Sequence, residues 1–135
     1  MKVQYFDLKN KRALISGGAS GIGSSIVEHL CEQGVEVYFF DIDKKEAQKL
    51  ISKIKKKKQT IPIFLFCNIK NIKKYINLIQ GIIKKKGPID ILINNASNDQ
   101  RHTLEEITEK YWDERMTINL KHYLFAIQAV KKSMI

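Results

Sequence analysis

The sequence predicts an α/β fold: repeated strand-helix units that lay a parallel sheet between helices on both faces. Two observations predict it. Apolar runs of four to six residues alternate with longer stretches of helical periodicity. These runs are rich in Ile, Val, Leu and Phe with little polar alternation, as in strands covered on both sides. At 135 residues the chain has the length of one domain, enough to bury roughly two-thirds of its unfolded surface.

The first strand is placed at 12–16, followed by a helix over 21–33 that Gly34 closes. A second strand at 35–40 leads to a lysine-rich helix at 44–57, and a third at 61–66 leads to a helix at 70–86 stopped by Gly87 and Pro88. The fourth strand, 89–93, runs into the polar loop "NNASNDQRHT" and then a long helical tract at 108–134. Met116, Leu120, Tyr123, Leu124, Ile127 and Val130 form an apolar stripe along that tract. No internal repeat or linker interrupts the chain, so residues 1–135 are read as a single domain.

Composition narrows the function classes. Hydrophobic residues make up 44% and charged residues 28%, which is ordinary globular usage. No apolar run is long enough to cross a bilayer and no charged-then-apolar leader opens the chain, so a cytoplasmic location without a membrane partner is expected. The net charge of +10 raises nucleic-acid binding as a reading. Only Arg12, Arg101 and Arg115 are arginines, however, and the lysines fall in helical stretches where a solvated face explains them, so no nucleic-acid partner is expected. Cys31 and Cys67 lack CxxC spacing and read as small buried hydrophobes in a reducing compartment. His29, His102 and His122 have no metal-ligand spacing; they read as helix-surface or loop residues, and no metal is expected.

The chemistry-bearing segment is the octet "SGGASGIG" at 16–23, which follows the first strand and opens a helix. Its Gly17, Gly21 and Gly23 follow G-x3-G-x-G rather than G-x-G-x-x-G, with similar physics. Glycine permits a tight turn, and without Cβ atoms the backbone N–H groups approach a pyrophosphate at the positive end of the helix. Asp41 ends the second strand, placed either to accept hydrogen bonds from an adenosine ribose or to cap the next helix. Its charge repels a 2′-phosphate, so NAD is expected over NADP, although Lys44 and Lys45 stand close by in sequence.

"SGGASGIG", "FFDID", "CNIK", "LINNAS" and "TINL", in this order and spacing, resemble the classical short-chain dehydrogenases and reductases over essentially the whole chain. The resemblance implies a Rossmann-type doubly wound sheet in the order 3-2-1-4, truncated here before strand 5, that binds a nicotinamide cofactor. It implies that Gly17, Ser20, Gly21, Ile22 and Gly23 surround the pyrophosphate and neighbouring ribose, and that Asp41 holds the adenosine ribose. Asn68, where the family usually has Asp, and the backbone of Ile69 would reach adenine; the Asn amide oxygen still accepts. Asn94 would brace the sheet while Asn95 and Ala96 line the cofactor ribose, and Ser97 replaces the family's glycine.

Asn119, in "MTINL", matches the family's helix Asn that supports a water-linked proton relay, the one catalytic position present; a solvent-facing or helix-bending Asn is the alternative. The family's catalytic Ser and Tyr-x-x-x-Lys pair lie downstream of Ile135. Tyr5 to Lys9 has that spacing but precedes the first strand, so Tyr5 reads as a packing residue of the N-terminal arm, and Trp112 as a hydrophobic anchor. The expected function is therefore an NAD-dependent short-chain oxidoreductase acting on a small-molecule alcohol or carbonyl, represented by its cofactor-binding half and inactive alone. A noncatalytic nucleotide-binding module, or the product of an interrupted gene, is the alternative. The apolar edge "DILIN" leaves a homo-oligomer open.

Overall fold

The computed structural model describes residues 3–134; Met1, Lys2 and Ile135, which the single-domain reading includes, lie outside the described residues. Four strands, β1 (Arg12–Ser16), β2 (Glu36–Asp41), β3 (Ile63–Phe66) and β4 (Ile91–Asn94), form one parallel sheet in the order β3-β2-β1-β4. The chain steps outward from β1 to β3 and then returns to the other side of β1. The carboxyl ends of β1 and β4 thus flank a topological switch point, where open α/β sheets leave a crevice.

Helices α1 (Gly21–Glu32) and α2 (Lys44–Lys56) cover one face, and α3 (Ile72–Lys86) and α5 (His122–Lys131) the other. On α2 the buried residues Ala47, Leu50 and Ile54 recur at helical spacing, so its lysines remain in solvent. Along β1 and β2 consecutive side chains point to opposite layers, and both layers are dry: Ala13, Ile15, Val37 and Phe39 enter one core, Leu14, Tyr38 and Phe40 the other. Each such large side chain contributes about 1.5–3 kcal/mol by leaving water. The edge strands β3 and β4 are only partly covered, because each lacks a neighbour on one side among the described residues.

The long tract after β4 differs from its sequence pattern. It comprises α4 (Glu109–Met116), one π turn (Thr117–Lys121) and α5. A π turn adds a residue to the helical register and rotates the downstream helix by about 100°. The buried face therefore becomes His122, Ala126 and Val130, whereas Leu120, Leu124 and Ile127 of the expected stripe are each about half exposed. Two further expectations are corrected. Tyr5 and Trp112 are each 57% exposed, so neither is a packing anchor. The N-terminal arm is held instead through Gln33, whose Oε1 accepts from the Tyr5 backbone N–H at 2.8 Å.

Candidate functional site

The octet forms the turn from β1 into α1, and two of its glycines are there because the backbones converge. Gly17 has φ +69°, and a Cβ would stand 2.8 Å from the Ala96 Cα. A Cβ on Gly23 would stand 1.9 Å from the Gly17 carbonyl oxygen. The α1 N-cap, Ser20, makes no side-chain capping bond, whereas Asp43, Asn71 and Thr108 cap α2, α3 and α4. The opening turn of α1 therefore presents N–H groups that no cap covers, at the positive end of the helix.

This turn forms one wall of a crevice of about 530 Å³ at the carboxyl end of the sheet. Gly17, Ser20, Ile22, Gly23, Asp41, Asn68, Ile69, Asn95 and Ala96 line it, together with Phe40, Ile42, Cys67, Lys70, Ser97, Asn98, Glu114 and Ile118. Gly21, grouped with these residues by sequence, instead borders a shallow outer surface with Ser25 and His29. On the far rim Lys70, just before α3, forms an ion pair with Glu114 of α4.

Asp41 closes β2 with its carboxylate held by three backbone donors: Ala19 N–H to Oδ2 at 2.9 Å, and Ile42 and Asp43 N–H to Oδ1 at 2.7 and 3.0 Å. Capping of α2 falls to Asp43, which accepts from Glu46 N–H. Asp41 is thus a fixed negative charge that ties the end of β2 to the octet. Asn68 Oδ1 accepts from Lys70 N–H at 3.0 Å, turning the chain toward α3 beside Ile69. Cys67, behind them, is buried, and burial raises its thiol pKa against the opposing charge of Lys74.

The bracing role expected of Asn94 belongs to Asn95, whose Nδ2 donates to the carbonyls of Ser16 at 3.1 Å and Gly17 at 2.8 Å. Asn94 lies in register with Ser16 across the sheet, and its Oδ1 is buried without a partner among the described residues. Asn119 lies in the π turn and binds the loop after β4 at both ends of its amide: Oδ1 accepts from Asn98 N–H at 2.8 Å, and Nδ2 donates to the Asn98 carbonyl at 3.0 Å. Its side chain thus fastens that loop, while its neighbour Ile118 lines the crevice.

Sequence reasoning passed over Ser16 and misplaced His122. His122 is fully buried rather than on a surface, because the π turn swings it under the sheet, and its Nε2 lies 3.2 Å from Ser16 Oγ. The i, i+4, i+8 spacing of His122, Ala126 and Val130 is the sequence signal for that face. Among the described residues no three His, Cys, Asp or Glu side chains are placed to hold a metal ion.

Bare glycine backbone, an uncapped helix start, a fixed carboxylate and two asparagine-bearing loops meet in one crevice, and its residues suit an anionic dinucleotide. The chain belongs to the short-chain dehydrogenase family, whose model matches residues 11–135. It is 38% identical over 130 residues to a D-xylose 1-dehydrogenase of Caulobacter vibrioides, covering 96% of this chain and 50% of that protein. To a gluconate 5-dehydrogenase of Gluconobacter oxydans it is 33% identical over 135 residues, covering 96% of this chain and 50% of that one. A solved blue fluorescent protein from a metagenomic library, in complex with NADPH, superposes with a TM-score of 0.85 at 28% identity over 94% of this chain and 52% of its own. The chain spans about half the length of the curated relatives it matches.

Proposed function

We propose that this chain is the cofactor-binding part of an NAD-dependent oxidoreductase that moves hydride between the nicotinamide and a small alcohol or carbonyl compound. The observation that carries the reading is the crevice itself: the glycine turn, packed at Gly17 and Gly23 against the loop after β4 and its own carbonyl, leads into the uncapped start of α1, and the Asp41 carboxylate stands at the end of the neighbouring strand. The cofactor supplies the hydride chemistry when bound. The first turn of α1 holds the diphosphate, Asp41 accepts from the adenosine ribose hydroxyls, Asn68 and the Ile69 backbone meet the adenine, and Asn95 and Ala96 line the second ribose.

Asp41 favours NAD because a 2′-phosphate would sit against its charge. Lys44 and Lys45, in the first turn of α2, are the groups that oppose this preference. The names of the xylose and gluconate relatives favour a sugar or sugar acid as the substrate. Within these 135 residues Tyr5 and Lys9 have the only Tyr-x-x-x-Lys spacing, and Tyr5 is tethered to Gln33 at the opposite end of α1 from the crevice. The chain is thus expected to bind cofactor without turning over substrate, and Asn119 to act by holding the loop after β4 in place.

The test is a fluorescence titration of the chain with NADH and NADPH. Saturable binding with NADH the tighter ligand is expected, and Asp41→Ala should weaken it. Absence of binding, or a preference for NADPH, would overturn the reading.

A further inference from the structure

Ser16 Oγ is where β1, the loop after β4 and the start of α5 meet. It accepts the backbone N–H groups of Asn95 and Ala96, both at 3.1 Å, and lies 3.2 Å from His122 Nε2. A hydroxyl has two lone pairs and one proton. With both lone pairs taken by the two amides, the proton is directed to His122 Nε2, which must then be the bare, accepting nitrogen. The imidazole proton consequently sits on Nδ1.

Nδ1 is buried and has no partner of good geometry among the described residues, yet the peptide groups of Ile118 and Thr117 act on the ring from the π turn. That π turn also carries Asn119, and the His122 backbone N–H reaches the Thr117 carbonyl across it. One imidazole therefore stands between the loop that lines the crevice and the turn that holds Asn119.

We propose that His122 is a positioning residue: its neutral ring, by accepting the Ser16 hydroxyl proton, fixes the Asn95–Ala96 backbone of the crevice to the π turn of Asn119. In the cofactor crevice this rests on the function proposed above. The group that faces the ring from α3 is Tyr75, at 6.0 Å between centroids; Tyr123, at 4.4 Å, faces it from its own helix. The Tyr75 hydroxyl is buried without a hydrogen-bond partner among the described residues, and burial raises its pKa, with the neighbouring Cys67 adding to the shift. Tyrosines and thiols are uncharged at and below neutral pH, so His122 is the one member of the cluster that titrates there. Burial lowers its pKa below the usual value, and the backbone of Ile118 and Thr117 opposes this only partly. Protonation places a hydrogen on Nε2, and Ser16 loses its acceptor.

Two variants separate positioning from packing. His122→Gln keeps an acceptor in reach of Ser16 and does not titrate; His122→Leu has comparable bulk and no acceptor. At neutral pH His122→Leu is expected to weaken NADH by about five- to tenfold, the loss of one hydrogen bond, with His122→Gln within about twofold of the parent. Parent affinity should fall as pH is lowered below the usual histidine range, and the Gln variant should stay flat. Equal losses in both variants, or parallel pH profiles, would overturn the proposal.

Imidazole 15N spectra of the chain decide the point even if no dinucleotide binds, an outcome that would count against the proposed function alone. A bare Nε2 that shifts in Ser16→Ala supports His122 as the anchor, and a protonated Nε2 at neutral pH refutes it.

Discussion

The Asp41 carboxylate accepts the Ala19 backbone N–H at 2.9 Å, joining the end of β2 to the glycine octet that follows β1. The same group is therefore part of the wall of the crevice and its fixed negative charge. Asp41→Asn keeps an acceptor and removes the charge. Its expected effect is to shrink the NADH-over-NADPH preference about tenfold, near 1.4 kcal/mol, with little change in melting temperature. Titrating both cofactors against both proteins measures it, and an unchanged ratio would assign the preference to other groups. Asp41→Ala additionally frees the octet and should lower stability by about 1–2 kcal/mol.

Gly23 and Gly21 make a matched pair. A Cβ at Gly23 meets the Gly17 carbonyl oxygen at 1.9 Å and Asn95 Nδ2 at 2.6 Å, so Gly23→Ala must push the octet backbone from the loop after β4. A destabilisation of about 1–3 kcal/mol with loss of cofactor binding is expected. Gly21 has φ +54° but its Cβ would meet nothing within 4 Å, so Gly21→Ala should cost about 1 kcal/mol of backbone strain and retain binding. Thermal melts and NADH titrations of the two variants test the contrast.

Glu28 of α1 forms ion pairs with Lys53 of α2 at 2.7 Å and with Lys57, the residue that follows α2, at 2.5 Å. The hydrogen bonds from these lysines take its carboxyl from the usual 4.5 down to about 2. A carboxyl lowered on folding stabilises fully above its unfolded value, and that contribution disappears as pH falls toward the folded one. The lysine side chains are half or more exposed, so solvent screening limits the pair to about 0.5–1 kcal/mol. Glu28→Gln should lower stability by that amount at neutral pH, with the gap from the parent closing between about pH 4.5 and 2. Urea unfolding across that range measures it, and high salt should narrow the gap as well.

Cys31 is buried and its thiol is pushed up to about 12, chiefly by burial and also by the charge of Glu28. Cys67 is equally buried and shifted in the same direction. Since the thiolate is the reactive form, neither should be labelled by a disulfide reagent at neutral pH until the chain unfolds. A rapid stoichiometric reaction of the folded chain would contradict their placement.

Much of the fold was legible because its signals are local. The four apolar runs, the lysines spaced around Ala47, Leu50 and Ile54, and the stop at Gly87 each act within a few residues. The octet was legible for the same reason, since a strand, a turn and a helix start are contiguous there. Legibility failed where one added residue in the π turn rotated α5, turning Leu124 and Ile127 of the expected six-residue stripe outward while its Val130 stays buried. It failed again at the paired asparagines, where only the alternation of β4 against β1 decides which of them reaches Gly17.

The sequence by itself determined the α/β alternation, the bare backbone of the first turn and the carboxylate ending β2, because periodicity and missing Cβ atoms are properties of neighbouring residues. Only the tertiary structure decided that Asn95 braces the crevice and that His122 meets Ser16, 106 positions earlier in the chain. Such pairings depend on how β1, β4 and α5 pack together, and the burial that gives the imidazole its state exists only once they have.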